Sequence, residues 1–215
     1  MKPFKTYLLC LFAVLLVTSC KNEQPKNDTE KSVVEEISIE KQKTQEKPQK
    51  GFEKTLGLQN IRFDVVSFTN GSGSKLVIQP DGLEINNSQV VHDIEGKVVN
   101  AEIEDLNSDG FPEILVYTTS AGSGSYGNVI GYSVNNGKSM SQISFPDIMQ
   151  NDEASSGYMG HDEFAIVETS LVRRFPIYKD GDTNSNPTGG TRQLKYKLKD
   201  GEASRIFVLE KIVEY

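Results

Sequence analysis

An all-β fold follows from three observations on the chain. Short runs of alternating apolar and polar residues recur from residue 61 onward, turn-forming Gly, Pro, Asn and Asp separate them, and no long amphipathic helix interrupts them. About eight such runs predict an antiparallel β-sandwich or barrel. No segment repeats at a fixed period, which argues against a propeller or solenoid.

Each element has its own signal. Residues 61–69 alternate and predict a strand. A Gly/Ser loop at 70–74 follows. Residues 75–79 and 83–87 flank Pro80-Asp81-Gly82, a hairpin signal. Residues 97–106 alternate again, with Val99, Ala101 and Ile103 on one face. Residues 111–120 read as a strand with Ile114, Val116 and Thr118 on one face and Leu115 and Tyr117 on the other. Residues 128–136 and 139–145 flank the tight-turn signal Asn135-Asn136-Gly137. Residues 146–160 are irregular, with one helical turn expected near 147–152. A β-rich run covers 163–173, a polar loop 179–190, and a hairpin 191–213 closes the chain.

The N-terminal part does not belong to this fold. Lys2 and Lys5 precede an apolar run, 7–17, that is too short to span a bilayer. It ends Leu16-Val17-Thr18-Ser19-Cys20, which resembles the lipobox of bacterial lipoproteins. That resemblance implies a signal peptide over 1–19 and a lipidated Cys20 that holds the protein at a membrane. Residues 20–52 carry equal numbers of lysines and acids and few apolar groups, so they read as a disordered tether. The domain is expected at 53–215. Cys10 and Cys20 are the two cysteines, so the domain has neither a disulfide nor a thiol nucleophile. Lys21 stands where an aspartate signals inner-membrane retention in many bacteria, so by analogy the outer membrane is expected, with the domain facing the periplasm or the surface.

Residues 53–215 carry 14 basic and 23 acidic side chains, a net charge of −9. This charge argues against a nucleic-acid partner; it favours a neutral or basic partner through steering, and equally serves solubility alone.

Two stretches could carry a site. Asp105, Asn107, Asp109 and Glu113 present oxygens at positions 1, 3, 5 and 9, with Gly110 at position 6. This resembles the calcium loops of EF-hands and FG-GAP repeats. Val116 stands where an EF-hand has its closing acid. The same residues also suit an Asp/Asn-Gly turn bonded to its own backbone. Residues 121–127 form a loop in which Gly122, Gly124 and Gly127 remove bulk and Ser123, Ser125 and Tyr126 offer uncharged hydroxyls. The loop suits a narrow cleft, and it equally suits a long hairpin connection with one packed tyrosine. A hydrolase reading lacks support: the only histidines are His92 and His161, no Gly-x-Ser-x-Gly elbow leads into a helix, and no phosphate loop is present. The chain is therefore not expected to be an enzyme.

The stretch 105–127, together with Gly160-His-Asp-Glu-Phe, Arg173-Arg-Phe-Pro-Ile-Tyr178 and Pro187-Thr-Gly-Gly-Thr-Arg192, resembles the periplasmic inhibitors of invertebrate-type (I-type) lysozyme over about residues 58–213. This resemblance implies a β-sandwich-like inhibitor whose Ser/Tyr loop enters the lysozyme cleft. Ser123 and Tyr126 would make the contacts, with Gly122, Gly124 and Ser125 shaping the loop. It implies I-type lysozyme as partner, allows a homodimer and requires no cofactor; the Asp105 loop, on its own pattern, could take calcium. The alternative from another class is a calcium-stabilised envelope adhesion or carbohydrate-binding lipoprotein.

Overall fold

The computed structural model describes residues 49–70 and 73–215. The expected signal segment, Cys20 and nearly all of the tether lie outside the described residues. Twelve strands form three four-stranded antiparallel sheets, each with its strands in sequence order. The first contains β1 (Gln49–Leu58), β2 (Ile61–Asn70), β3 (Gly73–Asp81) and β4 (Val90–Ile94). The second contains β5 (Lys97–Glu104), β6 (Glu113–Thr119), β7 (Gly127–Asn135) and β8 (Ser139–Ile143). The third contains β9 (Glu163–Val167), β10 (Ser170–Pro176), β11 (Thr191–Asp200) and β12 (Arg205–Glu214). The expectation of antiparallel all-β structure holds. The barrel alternative does not, because the sheets stay open, and the strand count exceeds the eight read from sequence.

The second sheet is buried on both faces. Ile114 and Val116 of β6 join Phe63, Val65, Leu76 and Ile78 in one core. Leu115 and Tyr117, on the opposite face, join Leu171, Phe175, Leu194 and Phe207 in a second core. Successive strand residues point to opposite faces, so a strand that feeds two cores must be apolar at consecutive positions, as β6 is from Ile114 to Tyr117. Each fully buried aliphatic or aromatic side chain stabilises the fold by roughly 1.5–3 kcal/mol. The third sheet is tied to the second at β12, where Phe207 N donates to Ser144 O and Ser144 N to Arg205 O, both at 2.9 Å.

Several local expectations change. β1 starts at Gln49, ahead of the expected domain boundary at residue 53. Residues 83–87 are not a strand. The Asn87 side chain instead closes them, accepting from Leu83 N at 2.9 Å and donating to Leu83 O at 2.6 Å. Short amide side chains compete with a ladder in this way. Val99 is 49% exposed rather than core-facing, because a bulge between Val98 and Asn100 shifts the register and puts Val98 inside. The β-rich run at 163–173 is two strands, β9 and β10, turning at Glu168 with φ of 55°. The helical turn near 147–152 is present as a 3₁₀ turn, Ile148–Gln150, and a short helix α1, Asp152–Ser155. The Asn136-Gly137 turn has positive φ at both residues, as a tight two-residue hairpin requires.

Candidate functional site

The loop between β6 and β7 is closed at its neck. Ser120 N donates to Tyr126 O at 2.8 Å, and Tyr126 N donates to Ser120 Oγ at 3.0 Å. Inside it, Ser125 N donates to Gly122 O at 3.1 Å, making a tight turn. The positive φ in this loop falls on Ser125 (44°), not on the glycines. Bulk, not φ, is what the structure asks of two of them. A Cβ on Gly124 would lie 2.5 Å from the Tyr126 ring, and one on Gly127 would lie 2.6 Å from Asp162 Cβ and Phe164 Cε2. Gly122 faces open space.

Two other segments support the loop. His161 N donates to Gly124 O at 2.7 Å, and Asn184 Nδ2 donates to Ser123 O at 2.8 Å. His161 Nε2 lies 3.1 Å from Asn184 Oδ1, which links the two supports. Gly160 makes the first approach possible: its φ is 90°, and a Cβ there would sit 2.0 Å from Gly124 O. At the loop's far end Gly127 N donates to Asp162 Oδ2 at 2.7 Å.

Beneath the loop lies a buried ion pair. Arg173 Nε and Asp162 Oδ1 are 2.6 Å apart, and both side chains are almost wholly buried. Tyr158 OH donates to Asp162 Oδ2 at 2.6 Å and accepts from Arg173 Nη2 at 2.7 Å. The guanidinium lies over the Tyr158 ring, 4.9 Å from its centroid, a cation–π arrangement. Burial works against the Arg173 charge, but the Asp162 carboxylate more than offsets it and holds the pKa above its usual value. Burial and the Asp162 bond push the Tyr158 phenol up, so it stays a neutral donor.

What remains outside is uncharged. Ser123 is exposed, Ser125 is half-buried, and Tyr126 is 50% exposed with its ring edge-on to Tyr158 at 5.7 Å. Among the described residues neither the Ser123 nor the Tyr126 hydroxyl has a hydrogen-bond partner, and no serine hydroxyl bonds either imidazole. His92 instead faces Tyr132 OH at 2.8 Å. The loop stands as a ridge between two open grooves. One of about 800 Å³ runs along Lys97, Val99 and Asn100, and one of about 450 Å³ runs along Asn128, Phe145 and Met149.

The Asp105 stretch folds on itself. Asp105 accepts from Asp109 N at 3.0 Å and Gly110 N at 2.9 Å, and Asn107 Oδ1 accepts from Asp109 N at 3.1 Å. Asp109 Oδ1 accepts from Phe111 N at 2.9 Å, and its Oδ2 meets Arg205 Nη2 at 2.5 Å. Glu113 is fully buried below, accepting from Leu106 N at 2.8 Å and Ser133 Oγ at 2.5 Å. Burial pushes its pKa up to about 7 despite those bonds. Among the described residues no three His, Cys, Asp or Glu side chains gather as a metal would need.

The structure thus brings Ser123, Ser125 and Tyr126 together on one ridge and puts the Asp105 turn elsewhere, at the entry to β6. The sequence motifs at 160–164 and 173–178 supplied Asp162 and Arg173 without indicating what they do. Tyr158 and Asn184 carried no signal for these roles: Tyr158 bonds Asp162 nearby but Arg173 15 residues on, and Asn184 bonds Ser123 61 residues back.

No curated protein and no solved structure matches the chain. The C-terminal motifs at 160–192 fall beyond the one stretch where a family is matched, which is narrower than the 58–213 read from sequence. Over residues 71–156, which contain the whole β6–β7 hairpin and its loop, the chain matches the family described as periplasmic lysozyme inhibitor of I-type lysozyme.

Proposed function

We propose that this protein inhibits I-type lysozyme by inserting the loop 120–127 into the enzyme's substrate cleft, protecting peptidoglycan outside the cytoplasm. The observation that carries the reading is the loop itself: a ridge braced from below whose exposed Ser123 and Tyr126 hydroxyls are neutral and unpaired among the described residues. A lysozyme cleaves with two carboxyl groups, one of which stays protonated as the acid. Neutral hydroxyls can hydrogen-bond both forms, and the Tyr126 ring can fill a sugar subsite as a desolvated aromatic anchor. The net charge of −9 over residues 53–215 would steer a basic lysozyme toward the protein and hinder an acidic one.

No step here needs a cofactor, and the chain acts as an inhibitor rather than an enzyme. Lipidation of Cys20 would tether it, at the outer membrane, close to the peptidoglycan it protects. The test is a peptidoglycan-clearing assay with the purified protein titrated against I-type, chicken-type and goose-type lysozymes. Inhibition of the I-type enzyme supports the reading, and its absence refutes it. Globomycin sensitivity of processing and labelling with a fatty-acid analogue, lost in Cys20→Ser, test the anchor.

A further inference from the structure

Asp162 contributes nothing to the exposed ridge, yet every contact from below the loop's far end converges on it. Its Oδ2 accepts from Gly127 N and Tyr158 OH, and its Oδ1 from Arg173 Nε, at 2.6–2.7 Å. Tyr158 carries the link outward, since its ring meets Tyr126 edge-on at 74°. One continuous path therefore joins a buried charge to the exposed aromatic. A buried ion pair costs desolvation that apolar residues of equal volume would avoid. What it supplies in return is direction: three short bonds with fixed angles hold the start of β7 where packing alone would let it slide.

We propose that Asp162, with Tyr158 and Arg173, is the positioning group that fixes the loop in its binding shape before any lysozyme arrives, so that this cluster sets the strength of inhibition without touching the enzyme. The proposal rests on reading the loop as the inhibitory element. Fixing a loop beforehand raises affinity because the ordering cost is not charged at binding. His161 and Asn184 steady the tip, and the Asp162 cluster steadies the base and the Tyr126 ring.

The test compares two hydroxyl deletions. Tyr158→Phe removes the hydroxyl shared by Asp162 and Arg173. Tyr132→Phe removes the hydroxyl of a buried tyrosine bonded to His92 in the other core, and so matches the chemistry away from the loop. Both are measured for inhibition of I-type lysozyme and, in the free protein, for amide exchange at Gly127 and His161. Tyr158→Phe should weaken inhibition about tenfold and speed exchange at these amides about tenfold, while Tyr132→Phe changes neither by more than about twofold. Unchanged exchange in Tyr158→Phe overturns the proposal, as does an equal loss of inhibition in both variants. If the wild-type protein inhibits no lysozyme, the functional reading fails, and the exchange data alone still decide whether Asp162 positions the loop. Asp162→Asn, which keeps an acceptor for Gly127 N, should show the same pattern as Tyr158→Phe.

Discussion

The buried Glu113 makes the stability of this fold depend on pH in an unusual direction. Burial holds its carboxyl at about 7 in the folded protein, against an ordinary value of 4.5. Between those values the unfolded chain has released the proton and the folded chain still holds it. Stability from this group is therefore greatest below pH 4.5, falls as pH rises toward 7, and is flat above. At about 1.4 kcal/mol per pH unit, the full loss is a little over ~3 kcal/mol. For a domain of this size that is roughly 6–12 °C in Tm. His92 acts in the opposite sense. Burial lowers its pKa, so its contribution is present above 6.5 and is lost as pH falls from there through the lowered folded value. Subtraction isolates Glu113: thermal unfolding of wild type and Glu113→Gln at pH 5, 6, 7 and 8. The glutamine keeps an acceptor for Leu106 N and a partner for Ser133, and cannot ionise. The variant should gain on wild type by about 2–3 kcal/mol between pH 5 and pH 8, since part of the loss already lies below pH 5. Parallel pH profiles for the two proteins would refute the reasoning.

Three further predictions concern the loop and its supports. Gly160→Ala should destabilise the fold by about 1–3 kcal/mol, through both its positive φ and the collision with Gly124 O, and should weaken inhibition; circular-dichroism melts and the clearing assay check both. Arg173→Leu should cost about 3–5 kcal/mol in urea unfolding, because Asp162 would be left charged and unpaired in the core. Millimolar calcium should leave Tm unchanged, since the Asp105 turn already spends its oxygens on its own backbone and on Arg205; a rise in Tm that Asp109→Ala abolishes would instead support the calcium-dependent adhesion alternative.

How much of this was legible in the sequence depended on distance along the chain. The two faces of β6 could be read because a strand's period is local, and Ile114, Leu115, Val116 and Tyr117 each report their side. The β7–β8 turn could be read from Asn136-Gly137 for the same reason. β1 could not, because its side chains are half-buried at best and its lysines and glutamates look like those of the tether before it. The bulge at Val99 was equally hidden, since one inserted residue leaves the alternation intact on either side. At the loop, the Gly/Ser/Tyr composition pointed to the contact residues, but the bonds that brace them span 35 positions from Gly127 to Asp162 and 61 from Ser123 to Asn184. Nothing local announces a partner so far away. The composition shows that the loop glycines remove bulk but not what needs the room: the Tyr126 ring at Gly124, and the Asp162 and Phe164 side chains at Gly127.

In the proposed mode of inhibition, Tyr126 on its braced ridge is the anchor. The direct measurement is the inhibition constant of wild type and Tyr126→Ala against I-type lysozyme, with Tm recorded for both. The ring is half exposed, so its loss should barely move Tm, while inhibition should weaken by about 30-fold or more, as expected for an anchor worth at least 2 kcal/mol. Equal inhibition by the two proteins would contradict the account.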